Sequence, residues 1–209
     1  MGQYYKPVFL NEKNKPVSFV YSHDFASGLK IMEHSWVGNK FVQFVERQLI
    51  GNPTKLVWAG DYAEKEDPKT ISDFQLKQIA DETNEHYTFA KLKEVGVNLY
   101  DLCESVGKLT HDEDVKDKYN HKFADYAKGF KYLVNHTKKQ FVDKSKVPNK
   151  DGWRVHPLPL LTCEGNGQGG GDYFSNNGKS FIGIWARDLI SVESKKPKGY
   201  TEIKPDFQE

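Results

Sequence analysis

The sequence predicts an α+β fold: one antiparallel sheet built from the N- and C-terminal segments, with helices packed on one face. Three observations predict it. β-type apolar runs stand near both ends, helical spacing fills the middle, and 209 residues suit one domain spanning 1–209.

The opening reads as a hairpin, with Pro7 to Leu10 and Val17 to Tyr21 separated by the turn-rich Asn11-Glu12-Lys13-Asn14-Lys15. Leu29 to Met32, then Val37, Phe41, Val42, Val45 and Leu49, recur at helical spacing and stop at Gly51-Asn52-Pro53. Leu56 to Ala59 is a short apolar run and reads as a buried strand. Ser72 to about Lys93 reads as a polar surface helix. Tyr119, Phe123, Tyr126, Phe130 and Leu133 alternate spacings of four and three, which predicts a helix with one aromatic stripe toward the core. From Gln140 onward the period falls to two, predicting strands at Gln140 to Asp143, at Trp153 to Val155 extending toward Leu161, and at Phe181 to Val192.

Composition predicts an ordered globule. The chain is 37% hydrophobic, which supplies apolar area enough to offset chain entropy without a metal or disulfide staple. Cys103 and Cys163 belong to no CxxC or Cys/His cluster, so reduced thiols are expected and neither a disulfide framework nor a structural zinc site is. The first residues lack the apolar run of a signal peptide, and no stretch is long and apolar enough for a bilayer, so a cytoplasmic protein without membrane contact is expected.

Net charge is only +1, yet the charges are unevenly placed. Asp61 to Val115 holds 14 acids against 6 lysines, a balance of −8, and Lys116 to Arg154 holds 11 basic residues against 4 acids, a balance of +7. Such asymmetry favours a charged partner; the alternative is that the two stretches lie against each other and neutralise locally.

Familiar motifs occur in letters but not in context. Gly165, Gly167 and Gly170 spell GxGxxG, but a strand follows rather than the helix whose N-terminus would meet a pyrophosphate. Gly178-Lys179-Ser180 ends like a phosphate-binding loop, with Tyr173 where the leading glycine belongs. What survives is a donor-rich loop, with Gly165, Gly167, Gly169 and Gly170 able to cradle an anion, or else a plain connection needing positive φ. Trp58-Ala59-Gly60-Asp61 and Trp185-Ala186-Arg187-Asp188 share a W-A-x-D frame. Alternation places Asp188 on an apolar face, where a carboxylate is paired or functional. Were the chain an enzyme, Asp61, Asp172, Asp188 and His156 would be its acid, base or metal candidates. The competing reading gives those groups structural hydrogen bonds.

With Met1-Gly2-Gln3-Tyr4-Tyr5, the Trp58 to Tyr62 strand end, the Gly-rich loop and Trp185 to Asp188 in view, the chain resembles proteins beginning MGQYY from Bacteroidetes-type bacteria and their phages. That resemblance carries no activity with it but implies a mobile-element setting, in which an anti-defence protein of the anti-CRISPR kind is one expectation. The reading that results is a non-enzymatic binding protein, an inhibitor that docks on a host or phage protein complex, with nucleic acid present. Its basic contacts are Lys128, Lys131, Lys138, Lys139, Lys144, Lys146 and Arg154, with Trp153 for stacking and the Gly-rich loop alongside. No cofactor and no metal are expected. The alternative is an enzyme acting on a nucleotide or phosphoester with the Gly-rich loop as anion cradle.

Overall fold

Tyr5–Leu10 (β1) and Pro16–Val20 (β2) form the expected hairpin. Its turn is held by Asn11, whose side-chain oxygen accepts the N–H groups of Lys13 and Lys15, while Asn14 takes a left-handed φ of 58° that Asn tolerates. A computed structural model describes residues 3–82, 88–110, 129–149, 152, 154–165, 174–175 and 181–208. Thr54–Gly60 (β3) runs antiparallel beside β1, with Val8 opposite Val57.

The remaining strands are Gly107–Leu109 (β4), Tyr132–Asn135 (β5), Gln140–Asp143 (β6), Cys163–Glu164 (β7), Phe174–Ser175 (β8), Leu189–Glu193 (β9), Thr201–Glu202 (β10) and Phe207–Gln208 (β11). Nine of the strands make one sheet in the order β10-β6-β5-β9-β3-β1-β2-β4, with β7 beside β3; β8 and β11 pair separately. Terminal and central segments thus share a sheet, and the fold is α+β. The sheet is mixed, however, not antiparallel throughout, because β4 runs parallel to β2, β7 to β3 and β10 to β6. Parallel neighbours need a long crossover, and the helical segments between these strands supply it.

The helices are Lys40–Gln48 (α1), Asp73–Glu82 (α2), Phe89–Val95 (α3), Leu99–Leu102 (α4) and Pro157–Thr162 (α5). They cover both faces of the sheet rather than one. Tyr5, Phe9, Leu56 and Trp58 share a core with Phe41, Val42, Val45 and Leu49 of α1 and Leu158, Leu160 and Leu161 of α5. Val8, Leu10, Val57 and Ala59 share a second core with Leu76, Ile79, Leu92, Leu99 and Leu102 of α2, α3 and α4. The reason lies in β1, buried along its whole length, which as a two-sided strand needs cover above and below. Even Lys6 is buried there, contacting Glu104 and sitting 3.8 Å from the centre of the Tyr100 ring.

Four sequence-based elements come out differently. The helix expected from Leu29 begins only at Lys40, Ile31–Glu33 being a separate 3-10 turn. Residues 157–162 are helix, not strand: Pro157 opens α5 at a position whose missing N–H costs nothing, and His156 caps it. Residues 182–187 are a turn before β9, with Gly183 at φ 69° and Arg187 at φ 63°, so the run from Phe181 is not a continuous strand. Leu133 sits in β5 rather than at the end of a helix, and Tyr119, Phe123 and Tyr126 lie outside the described residues. No described helix is long and apolar enough to cross a membrane.

Candidate anion-binding cleft

The carboxylates of the W-A-x-D echo are not brought together. Asp61 follows β3 and accepts the Tyr4 N–H at 3.0 Å, and partial burial raises its carboxyl above the ordinary range. Asp188 lies at the other end of β3, its carbonyl accepting the Leu56 N–H. Five residues of strand separate the two, roughly 16 Å at the usual rise per residue. The Asp188 carboxylate, on which an unpaired burial would weigh heavily, accepts from Asn135 Nδ2 and Lys138 Nζ, both at 2.8 Å. Asp172 lies outside the described residues. Among the described residues no three of His, Cys, Asp or Glu converge as a metal-ligand set. Cys103 and Cys163 are both buried, and burial pushes the Cys103 thiol up, away from a reactive thiolate.

The two tryptophans of the echo are both fully buried and each donates to a polar partner: Trp58 Nε1 to His34 Nε2 at 2.9 Å, Trp185 Nε1 to Gln140 Oε1 at 2.9 Å. The motif is a pair of core anchors. Gly60, between Trp58 and Asp61, is needed for close approach: a Cβ there would lie 2.4 Å from Gln3 Nε2 and 2.7 Å from the Glu164 carbonyl oxygen. Gly60→Ala is therefore expected to destabilise by about 1–3 kcal/mol, since a carbonyl must shift as well as a side chain. Chemical denaturation reads this directly, and an unchanged midpoint would contradict the packing described.

Of the Gly-rich loop, Gly165 is described, and Gly167, Gly169 and Gly170 lie outside the described residues. At the loop's start Glu164 and Glu66 both pair with Arg187, at 2.6 and 2.5 Å, in a cleft of about 690 Å³ that Glu64, Lys65 and Asp67 also line. The near end of the loop therefore faces carboxylates, which disfavours an anion at that point.

The basic residues divide into two groups, with Lys128 and Trp153 outside the described residues. Lys138 is committed to Asp188, Lys139 sits at φ 52° in the turn between β5 and β6, and Lys146 pairs with Glu202 at 2.6 Å. Lys131, Lys144 and Arg154 instead converge on a cleft of about 480 Å³, lined also by Val37, Gly38, Gln43, Glu46, Ser145 and His156. Lys144 is not the exposed contact that its place in a basic run suggests. It is 7% exposed and its ammonium contacts Glu46 of α1, itself 2% exposed. Arg154 donates from Nη2 to the Lys144 carbonyl at 2.8 Å, and Lys131 stands exposed at the rim.

Glu46 reaches the floor of the cleft because α1 begins where Asn39 caps the Val42 N–H, turning Phe41, Val42 and Val45 to the core and Glu46 to its edge. Burial alone would push its carboxyl up, but Lys144 and His156 outweigh it and hold the group at about 2, ionised at neutral pH. His156 Nδ1 accepts the Leu158 N–H at 3.2 Å, so the neutral ring carries its proton on Nε2. That nitrogen lies 3.3 Å from Glu46 Oε1 without the alignment of a hydrogen bond. Burial holds the His156 imidazole below its ordinary pKa, Glu46 opposing. With Nδ1 occupied by the helix cap, the neutral His156 ring has no free lone pair with which to act as a base.

Sequence reasoning missed Glu46, which reads as one more polar position on a helix, and the lysines beyond β9. Lys196 and Lys204 surround Glu202 together with Lys146, and the three hold its carboxyl below the ordinary range, the Lys146 hydrogen bond foremost. Among the described residues no ion pair joins the acidic stretch after Asp61 to the basic stretch before Arg154. Comparison with protein-family models, with curated proteins and with solved structures returns no match.

Proposed function

We propose that the chain is a non-enzymatic binding protein, an inhibitor from a mobile element that docks on a host nucleic-acid-handling complex by taking its nucleic-acid strand on a basic surface. The observation that carries this reading is the convergence of Lys131, Lys144 and Arg154 on one cleft, three cations against the one carboxylate of Glu46 among the described residues. Lys139, Lys146, Lys196 and Lys204 extend positive charge along the β6 and β10 edge of the same sheet. Phosphate contacts of this kind give affinity that falls with salt and depends little on base sequence. Against an enzyme stand the separation of Asp61 from Asp188 and the capped state of His156. The MGQYY resemblance supplies the mobile-element setting.

The test is Lys131→Glu with Arg154→Glu, both at the cleft mouth and neither a core residue. Fluorescence anisotropy with a single-stranded RNA is expected to show at least tenfold weaker binding at low salt. The salt slope should also fall by roughly 1.4 log units, two phosphate contacts at single-strand values. Equal binding by the native and double-variant chains would sink the reading.

A further inference from the structure

We propose that the cleft lined by α1, Lys144, Arg154 and His156 seats a phosphomonoester, the terminal phosphate of the strand, so that the protein engages an end rather than a continuous run. This rests on the nucleic-acid reading above for its source of phosphate, but the site itself stands on two independent observations.

The first is charge and shape. Lys131 and Arg154 flank an opening of about 480 Å³, within the range of small-ligand sites, and the buried Lys144 ammonium lies behind them. Arg154 uses one guanidinium nitrogen on the Lys144 carbonyl and keeps other donors of its planar fork for a tetrahedral oxyanion. The second is a buried donor whose neighbouring acceptor is poorly aligned. His156 is 2% exposed, lines the cleft, and its Nε2–H faces Glu46 Oε1 at 3.3 Å without the alignment of a full hydrogen bond. A buried N–H left unmade is costly, and an oxygen of a bound phosphate is the acceptor that the surrounding cations would bring to it. The preference for an end follows from the floor: His156 and Glu46 are both nearly fully buried, so a group enters past Lys131 and Arg154 and stops. A phosphomonoester, with close to two negative charges at neutral pH, matches the two positive charges that Lys131 and Arg154 leave among the described lining residues after Lys144 and Glu46 cancel.

The variant that tests this is His156→Asn. Asparagine is a preferred helix cap and retains an acceptor for the Leu158 N–H, while the Nε2–H is lost. Anisotropy is measured with a terminally phosphorylated single-stranded RNA and its hydroxyl-ended counterpart, and thermal shift with inorganic phosphate and a mononucleotide. The native chain is expected to favour the phosphorylated end by about tenfold, the scale of one hydrogen bond to a charged group. The variant should lose that preference and keep its affinity for the hydroxyl-ended strand, its own ligand-free melting temperature serving as the baseline for its thermal shifts. Strand binding by the native chain with no end preference, or a preference that survives His156→Asn, overturns the inference. A thermal shift with phosphate or mononucleotide, abolished by His156→Asn but without strand binding, supports the phosphate site while overturning the docking function. Strand binding without end preference does the reverse.

Discussion

Lys144→Met, with Glu46 kept, is expected to lower stability by about 3–5 kcal/mol at neutral pH, as the loss of one partner from a buried pair does elsewhere. The cause is the carboxylate left behind. Glu46 is held at about 2 by Lys144 and His156 against a burial that would raise it, so removing the ammonium leaves a charge 2% exposed with only an imidazole beside it. Its folded pKa should then rise above the unfolded value, and the sign of the pH dependence should reverse. In the native chain Glu46 contributes stability that is present above its unfolded pKa and lost as pH falls toward about 2. In the variant, mild acid should instead relieve the penalty by protonating the carboxyl. Adding Glu46→Leu to Lys144→Met should restore most of the loss, because a well-packed apolar pair replaces two buried charges at little cost. Urea denaturation of the native, single and double variants across the acid range decides this; a single variant within about 1 kcal/mol of the native chain would contradict a buried pair.

What the sequence made legible follows from how local each signal is. The hairpin of β1 and β2 and the helix α1 are encoded within short windows, a turn of Asn and Lys between β-type runs and a set of apolar residues ending at Gly51. Segment α5 misleads because Pro157-Leu158-Pro159-Leu160-Leu161 carries the alternation and prolines of an edge strand, whereas both prolines lie in a first helical turn that needs no N–H from them. The run from Phe181 misleads in the same way: Ile182, Ile184 and Ala186 alternate, and only the left-handed conformations at Gly183 and Arg187 turn them out of line. The mixed pairing and the cover on both faces were illegible, since β7 is two residues long and its partner lies more than a hundred positions away. The candidate site was half legible. Lys131, Lys144 and Arg154 declare themselves by charge, but Glu46 meets Lys144 across 98 positions and no window contains both.

Stability should also fall as pH drops from about 6.5 to about 4, by roughly 3 kcal/mol from His34 alone. His34 is fully buried under Trp58, its Nε2 accepting the indole N–H at 2.9 Å and its Nδ1 bonded to the Gly28 carbonyl at 3.0 Å. Since the indole can only donate, the neutral ring must carry its proton on Nδ1. Burial lowers its pKa from 6.5 to about 4, with the Gly28 carbonyl and Glu33 pulling weakly the other way. The unfolded chain therefore takes up this proton first as the solution is acidified, and the folded state loses ground until its own ring titrates. His156, also held low by burial, adds to the loss in the same direction. Protonating His34 in place is hard for a specific reason: a second N–H on Nε2 would face the Trp58 N–H, setting two donors against each other in a dry core. His34→Gln keeps an acceptor for Trp58 and a donor for Gly28 but cannot titrate. Urea denaturation from neutral to mildly acidic pH should give a flatter stability curve for His34→Gln than for the native chain, and two parallel curves would show that the ring is not held neutral by its burial.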